Sequence, residues 1–315
     1  MPPADGNSQR SNHGPRMNLL PLYARLAGVA ALWGGTFVAG RIAAPEMPHF
    51  TLAALRFWAA AGVLIPLLWR SEGGWPRMRV RDYVATALLA VFGLVLYNLL
   101  FHGALERIPA GRTALVVALN PILTAVAMAL IFGERLAIHR WGGILLALVG
   151  VWTVLSKGDP SALWQRVGLG EGLMLGAAIC WAIYTIVGRI ALDTEHAPSP
   201  LALTTVTAIW GALLLSLGVP FEWDRWIAAE ISGASWLAIL YLGAGGTALA
   251  FVWYAEGLRA LGAARTAVFN NLVPVFGVFF GTLLLDEPLL VSMVVGGVIA
   301  LLGVSLANWT PRVHR

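Results

Sequence analysis

Residues 33–41 read WGGTFVAGR, and residues 181–189 read WAIYTIVGR. The tryptophan, the last glycine and the arginine of the first stretch therefore recur, each 148 positions later. Further along, an AxRTA motif at 110–114 returns at 263–267, now 153 positions away. The two offsets differ by one short insertion, so most of the chain is an internal duplication.

The composition predicts an all-α integral membrane protein. Hydrophobic residues make up 58% of the chain and charged residues 12%, whereas soluble domains average roughly 45–50% and 25%. A membrane-spanning helix needs about 20 apolar residues, and ten stretches of the sequence qualify. These predicted spans, numbered one to ten, lie at approximately 24–44, 50–69, 83–103, 113–132, 139–156, 170–190, 200–220, 234–255, 265–285 and 289–308.

The ten spans divide between two repeats, at 18–157 and 168–309, with five spans in each. Residues 1–17 are polar and rich in Pro, Gly, Ser and Asn, so we expect a disordered cytoplasmic tail. Residues 310–315 form a second cytoplasmic tail. Lysine and arginine are more numerous on the side that holds both termini, above all at 70–81, so the positive-inside rule predicts an N-in, C-in topology.

Because each repeat has an odd number of spans, the second repeat must enter the membrane from the opposite side. The repeats are then inverted, related by a pseudo-twofold axis in the membrane plane. Transporters built in this way bind their substrate near the midplane between the repeats. The sequence therefore predicts a secondary transporter that works by alternating access around a central cavity, with a small molecule and the lipid bilayer as partners.

Two equivalent stripes of side chains are the first candidates for substrate binding. Trp33 and Thr36 share a helical face of span one, and Trp181 and Tyr184 share the corresponding face of span six. Indole and phenol rings in mid-span can stack on an apolar or aromatic ligand and form directional hydrogen bonds. The alternative is that these side chains only pack helices together.

Polar and aromatic side chains of four other spans are further candidates. Exposing their polar groups to lipid would be costly, so we expect either a pocket for a zwitterionic or aromatic molecule or hydrogen bonds between helices. Pro121 and Pro274 interrupt spans four and nine, where a freed carbonyl can coordinate substrate or merely mark a kink. The candidates are Tyr97, Asn98, Asn120, Trp253, Tyr254 and Asn270.

Charged residues are candidates for gates or for structural ion pairs. Arg112 and Arg265 begin spans four and nine, and Glu134 and Glu287 end them; this order opposes the helix dipole and indicates tertiary partners. Arg56 lies within span two, where an unpaired charge costs roughly 2.5–3.5 kcal/mol, so it should snorkel, take a structural partner or bind substrate. The remaining candidate gate charges are Arg41, Arg189 and Glu256, and His102 is a candidate for titration during transport.

Spans five and ten carry equivalent small residues, which allow close helix packing. The sequence predicts that this packing occurs within a monomer, with a dimer through spans five and ten as the alternative. The small residues are Gly143, Ala147 and Gly150 in span five, and Gly296, Ala300 and Gly303 in span ten.

The chain resembles the drug/metabolite transporter superfamily, and within it the ten-helix EamA-type permeases. The resemblance covers nearly the whole chain. It rests on the WG pair of span one, the Arg56 region, the Pro121 and Pro274 helices, and the dipeptides GE at 133–134 and DE at 286–287, which share a glutamate. It implies a bundle with a central cavity in the bacterial inner membrane that exports amino acids and related metabolites. The aromatic stripes are most similar in character to the aromatic amino-acid exporters of this group (YddG-like).

Other functions fit the sequence less well. A small multidrug antiporter of lipophilic cations should carry a glutamate in span one, and this span has none. A sugar-phosphate or nucleotide-sugar carrier needs cationic side chains deep in its cavity, and no span contains lysine. An enzyme needs a nucleophile and base or metal ligands on facing helices, and His102 is the only histidine in a span. A membrane scaffold would not explain the duplicated mid-span faces.

We therefore expect no enzymatic activity, no cofactor or metal and no nucleic-acid partner. His102, Glu171 and Glu256 could titrate during transport, yet none is a mid-membrane carboxylate of the kind that relays protons. The sequence thus favours movement of the substrate down its own gradient over proton coupling.

Overall fold

The computed structural model describes residues 19–105, 107, 119–133, 137–156, 168–285 and 290–309. Within these residues all regular structure is helical and no β-strand occurs, which confirms the predicted all-α class. The helices group into ten segments, numbered α1–α10 in chain order, which correspond in position to the ten predicted spans. Six are single helices: α1 (Leu20–Ala43), α2 (His49–Glu72), α4 (Asn120–Phe132), α5 (Ile138–Leu155), α6 (Leu169–Leu192) and α10 (Val291–Asn308).

The other four segments change helical geometry along their length. α3 comprises Val80–Leu89, a π-helical Ala90–Leu96 and Tyr97–Leu105, and α8 comprises Gly233–Leu240, a π-helical Tyr241–Leu249 and Ala250–Leu261. α7 is Pro200–Ser216, continued by a 3₁₀ turn (Val219–Glu222) and a short helix (Trp223–Ile227), and α9 comprises Ala263–Ala267, a 3₁₀ stretch (Val268–Leu272) and Val273–Leu285. π-helical geometry is rare and often marks a functional region, and here it occurs in corresponding segments of the two repeats.

Seven of the described helices are long and apolar enough to cross a membrane, or eight if α7 is joined to its continuation, which bends by 46°. The described parts of α4 and α5 are shorter apolar helices. The protein is therefore a multi-pass integral membrane protein. The number of ten crossings and the N-in, C-in topology stay predictions.

Acidic side chains fix both ends of the contact between α2 and α7. Glu222 Oε2, beyond the end of α7, accepts hydrogen bonds from the backbone N–H groups of Phe50 (2.9 Å) and Thr51 (3.2 Å) at the start of α2. At the other end, the hydroxyl of Ser199, the N-cap of α7, donates to the carboxylate of Glu72 at the end of α2. The two helices therefore run antiparallel, and each supplies a carboxylate that satisfies donors at the start of the other.

α5 and α10 pack closely against each other through their small residues. A Cβ atom added at Gly150 would lie 2.3 Å from the backbone nitrogen of Ala300, and one added at Gly303 would lie 2.3 Å from the nitrogen of Ala147. These two contacts are equivalent under the 153-residue offset, and their order shows that the helices run antiparallel. The small faces thus pack on each other within one chain, while the oligomeric state stays a prediction.

The repeats exchange partners elsewhere as well. α1 packs against α8 and α9, and α6, its counterpart, packs against α3 and α4. Each first helix therefore contacts the third and fourth helices of the other repeat. This arrangement brings mid-helix side chains of α1 and α6 together.

Candidate functional site

Trp33 and Trp181 meet midway along α1 and α6. Their ring centroids are 5.2 Å apart and the rings lie edge to face, with an angle of 85° between their planes. Because the two residues are equivalent positions of the two repeats, this contact joins the same point of each repeat. Aromatic pairs at this spacing contribute about 0.5–1.5 kcal/mol beyond their buried area.

Further rings from α3, α6 and α8 surround this pair. Tyr184 stacks on Trp181 at 5.0 Å, while Phe251 lies 5.6 Å and Tyr254 lies 5.3 Å from Trp33. Tyr97 reaches Trp181 from α3 at 5.4 Å. We refer to these residues as the aromatic cluster: Trp33, Tyr97, Trp181, Tyr184, Phe251 and Tyr254.

Two glycines in the π-helical stretches allow α1 to approach α8 and α6 to approach α3 closely. A Cβ at Gly246 would lie 2.6 Å from Thr36 Cγ2, and a Cβ at Gly93 would lie 2.2 Å from the ring of Tyr184. Gly93 and Gly246 are equivalent positions, as are Thr36 and Tyr184, so the same contact is built twice. A larger residue at either glycine would push the first helix of one repeat away from the third helix of the other.

The indole N–H groups of the central pair differ in their bonding. Trp33 Nε1 donates to the carbonyl of Gly246 at 3.0 Å. Trp181 is only 7% exposed, and its Nε1 faces the hydroxyl of Tyr254 without forming a well-aligned hydrogen bond. That hydroxyl pairs with Thr185 Oγ1 at 2.9 Å. A buried donor without a well-aligned partner costs about 1–3 kcal/mol, so an acceptor on a ligand placed here would bond this N–H better.

Other buried polar atoms without a partner lie on α4 and on the 3₁₀ stretch of α9. Asn120 and Asn270 are 2% and 4% exposed, and both are sequence-predicted candidates. Within the described residues, no hydrogen bond is found for Asn120 Oδ1, Thr124 Oγ1, Asn271 Nδ2 or Asn271 Oδ1, while the side chain of Asn270 lies beside the hydroxyl of Tyr254. α4 and this stretch of α9 pack on each other, which concentrates unsatisfied donors and acceptors in one part of the bundle.

Arg56 reaches α8 from α2. Its Nε donates to Thr247 Oγ1 at 2.8 Å, and the Thr247 hydroxyl in turn donates to the carbonyl of Leu242 at 2.8 Å. Because Thr247 lies in the π-helical stretch beside Gly246, this contact places the guanidinium near the aromatic cluster.

Charged residues gather where α1 begins and α8 ends. Arg25 Nη1 pairs with Glu256 Oε2 at 2.6 Å. Arg189, at the end of α6, pairs with Asp193 at 3.1 Å and donates to the carbonyl of Arg259 at 3.2 Å. We call the region between Arg25 and Glu256 the charged mouth.

In the equivalent region at the opposite end of α6, an apolar pair takes the place of the ion pair, with the guanidinium of Arg107 nearby. Under the repeat offsets, Arg25 corresponds to Leu173 and Glu256 to Gly103. These two residues also touch, since Leu173 Cδ1 lies 3.4 Å from the Cβ position of Gly103. We call this region the apolar mouth. At each mouth the two residues of the pair are in contact in this structure.

Several predicted site residues are used differently from the expectation. Thr36 Oγ1 donates to the carbonyl of Trp33, and the Asn98 side chain donates to that of Leu94, so both hydroxyl and amide serve their own helices. Trp253 packs on Gly28 of α1, 2.9 Å from its Cβ position, rather than in the aromatic cluster. Adjacent helical residues point about 100° apart, so Trp253 cannot share the face of Tyr254.

The structure adds Phe251, Thr185 and Thr247 to the candidates. Phe251 lies three residues before Tyr254, a helical spacing that could have identified it. Thr185 lies four residues after Trp181, also at helical spacing, whereas Thr247 carries no such signal because its role arises from a partner on another helix.

The remaining candidate gate residues lie near helix ends or outside the described residues. Arg41 is exposed at the end of α1, and Arg265 has no ion pair among the described residues. Arg112, Glu134 and Glu287 lie outside the described residues, as does the side chain of His102.

Comparisons with known proteins agree on the class. The chain is 28% identical over 300 residues to the "Uncharacterized transporter YyaM" of Bacillus subtilis, covering 95% of this chain and 97% of that protein. It is 28% identical over 302 residues to a "Probable amino-acid metabolite efflux pump" of Salmonella typhimurium, covering 91% and 94%. A crystal structure with 21% identity superposes with a TM-score of 0.75 over 91% of this chain and 98% of that one, so the two share a fold.

The EamA-like transporter family matches the chain twice, at residues 22–156 and 168–309. The family resemblance inferred from the WG pair, the Arg56 region and the GE and DE dipeptides is thereby confirmed. With its apolar helices and relatives named as transporters, the chain belongs to the EamA-like transporter family and is a multi-pass membrane transporter of small metabolites.

Proposed function

We propose that this protein is a secondary transporter of the bacterial inner membrane that exports amino acids, aromatic or other neutral, from the cytoplasm. The observation that carries the proposal is the aromatic cluster around the Trp33–Trp181 pair, in which Trp181 Nε1 has no well-aligned hydrogen bond. An aromatic or apolar side chain can stack on these rings, and the buried amide and hydroxyl groups nearby can bind polar groups of an amino acid. A relative named as an amino-acid metabolite efflux pump supports the same substrate class.

The mechanism we propose is alternating access between two inverted repeats, at about 18–157 and 168–309. The antiparallel, symmetric contact of α5 with α10 supports the inversion, as does the repeated approach of Gly93 and Gly246 to the opposite repeat. The charged mouth would face the cytoplasm, and the apolar mouth would face the other side. Opening one mouth while the other stays closed then exposes the aromatic cluster to each side in turn.

Residues at the two mouths fit such a gate. The Arg25–Glu256 pair is 49% and 30% exposed, so it contributes only about 0.2–1 kcal/mol and can break during each cycle. The Gly103–Leu173 contact has no charges to separate, so opening there exposes apolar surface instead.

Counterflow in proteoliposomes tests the function. Purified protein is reconstituted with unlabelled phenylalanine inside, and uptake of labelled phenylalanine is competed with unlabelled amino acids, sugar phosphates and lipophilic cations. We expect uptake that aromatic and other neutral amino acids inhibit and that sugar phosphates do not. Uptake no faster than in protein-free vesicles, from protein shown to be folded, would exclude phenylalanine as a substrate.

A further inference from the structure

The guanidinium of Arg56 is hydrogen-bonded to the protein through one nitrogen, Nε. Thr247 Oγ1 accepts from Nε and donates to the carbonyl of Leu242, so this hydroxyl has a fixed direction. Among the described residues no further hydrogen bond of Arg56 is found, and the two ion pairs there join Arg25 to Glu256 and Arg189 to Asp193. The guanidinium also lies over the ring of Phe57, 5.4 Å from its centroid. The group is therefore fixed, while its two terminal nitrogens, Nη1 and Nη2, form no hydrogen bond among the described residues.

The free end of this group borders the aromatic cluster. Arg56 Nη2 lies 4.0 Å from the Cβ position of Gly246, whose carbonyl binds Trp33 Nε1. The ring of Tyr97, in the same cluster, lies 5.4 Å from that of Trp181. A ligand stacked on these rings would thus have a cation at one end.

This cation occurs once, although the site is built twice. Under the repeat offsets Arg56 corresponds to Thr204 and Thr247 to Leu94, so the other repeat has neither the charge nor the hydroxyl that positions it. A site whose contacts are duplicated but which has one fixed cation favours a ligand with one anionic end. A planar guanidinium binds a carboxylate through two parallel hydrogen bonds, which a lysine cannot reproduce.

We propose that Arg56 is a specificity-determining residue that binds the carboxylate of the substrate, with Thr247 as its positioning residue. The proposal rests on the transport function proposed above and makes it more specific. The substrate enters with its carboxylate toward α2 and α8 and its apolar part on the aromatic cluster. Such an anion also compensates the charge of Arg56, which would be costly in the membrane without a partner.

The test compares two ligands, each of which lacks one charged group of phenylalanine. Competition of phenylalanine counterflow is measured with 3-phenylpropionate, which lacks the amine, and with phenethylamine, which lacks the carboxylate. We expect wild-type protein to prefer the carboxylate by at least about 10-fold, the loss expected for a charge-assisted hydrogen bond. Arg56→Gln should abolish this preference, Arg56→Lys should restore part of it, and Thr247→Val should weaken it.

A binding measurement covers the case in which phenylalanine is not transported. Thermal unfolding of the purified protein is followed with each of the two ligands, because a ligand that binds the folded state raises the melting temperature. Stabilisation by 3-phenylpropionate but not by phenethylamine, lost in Arg56→Gln, would support the carboxylate site even if phenylalanine export fails. If Arg56→Gln does not fold, the comparison of wild type with Arg56→Lys decides.

Three outcomes would overturn the proposal. The first is equal binding of both ligands, or of neither, by wild-type protein. The second is an unchanged preference in Arg56→Gln or, where that variant does not fold, in Arg56→Lys. The third is stabilisation through Arg56 by chloride, compared with gluconate, without discrimination between the organic ligands, which would indicate a resident inorganic anion.

Discussion

Trp33 and Trp181 occupy equivalent positions but have different hydrogen bonds. The N–H of Trp33 joins α1 to the carbonyl of Gly246 in α8, whereas that of Trp181 faces the hydroxyl of Tyr254 without a well-aligned hydrogen bond. The first contact holds two repeats together and the second leaves a donor for the substrate. Duplication therefore supplied two similar rings, and their different neighbours give them different roles.

This difference predicts opposite outcomes for one substitution. Trp33→Phe and Trp181→Phe remove similar volumes, so the cost of the cavity is matched. Trp33→Phe should also lose about 0.5–1.5 kcal/mol of stability, because it breaks the bond to Gly246. Trp181→Phe should be the more stable variant but should bind substrate more weakly, by several-fold. Thermal unfolding and the concentration dependence of counterflow measure the two effects, and equal stabilities with equal affinities would contradict the assignment.

At the scale of helices, the small residues of α5 and α10 determine how the repeats meet. Their glycines contact backbone atoms rather than flexible side chains, so a methyl group there cannot be accommodated by a rotamer change. Gly142, next to Gly143 on the same helix, has no atom within 4 Å of its Cβ position. The helix thus provides both a sensitive position and an insensitive one.

Gly150→Ala should lower the free energy of unfolding by about 1–3 kcal/mol, as overpacking of a core does. Gly142→Ala is the matched control and should be neutral or stabilising, because alanine favours the helix by up to about 1 kcal/mol. The melting temperatures of the two variants in detergent check this directly. A Gly150→Ala protein as stable as Gly142→Ala would show that the α5–α10 contact is looser than described.

The whole molecule could be predicted from its sequence to different depths. Hydropathy located the helices and the duplication identified equivalent positions, because both depend on local composition or on a comparison within the chain. Trp33, Trp181 and Tyr254 were found because aromatic residues at helical spacing are visible in sequence. The pairing of Arg25 with Glu256 and of Arg56 with Thr247 was not, because residues so distant in sequence are brought together only by packing between repeats.

Cross-linking the residue pairs at the two mouths tests alternating access most directly. Cys180 is the only cysteine, so Cys180→Ser gives a background for cross-linking. One protein carries Arg25→Cys with Glu256→Cys at the charged mouth, and a second carries Gly103→Cys with Leu173→Cys at the apolar mouth. Each pair is bridged with a bifunctional methanethiosulfonate reagent, because two long side chains that meet at their tips leave cysteines too far apart for a direct disulfide. A reductant then removes the bridge in the same vesicles as the control.

The measurement is labelled phenylalanine counterflow through each locked protein, before and after reduction. Alternating access around the aromatic cluster predicts that a lock at either mouth stops exchange and that the reductant restores it. Exchange at the unlocked rate with either mouth cross-linked would contradict the account, because substrate would then be crossing the membrane by a route that does not need that mouth to open.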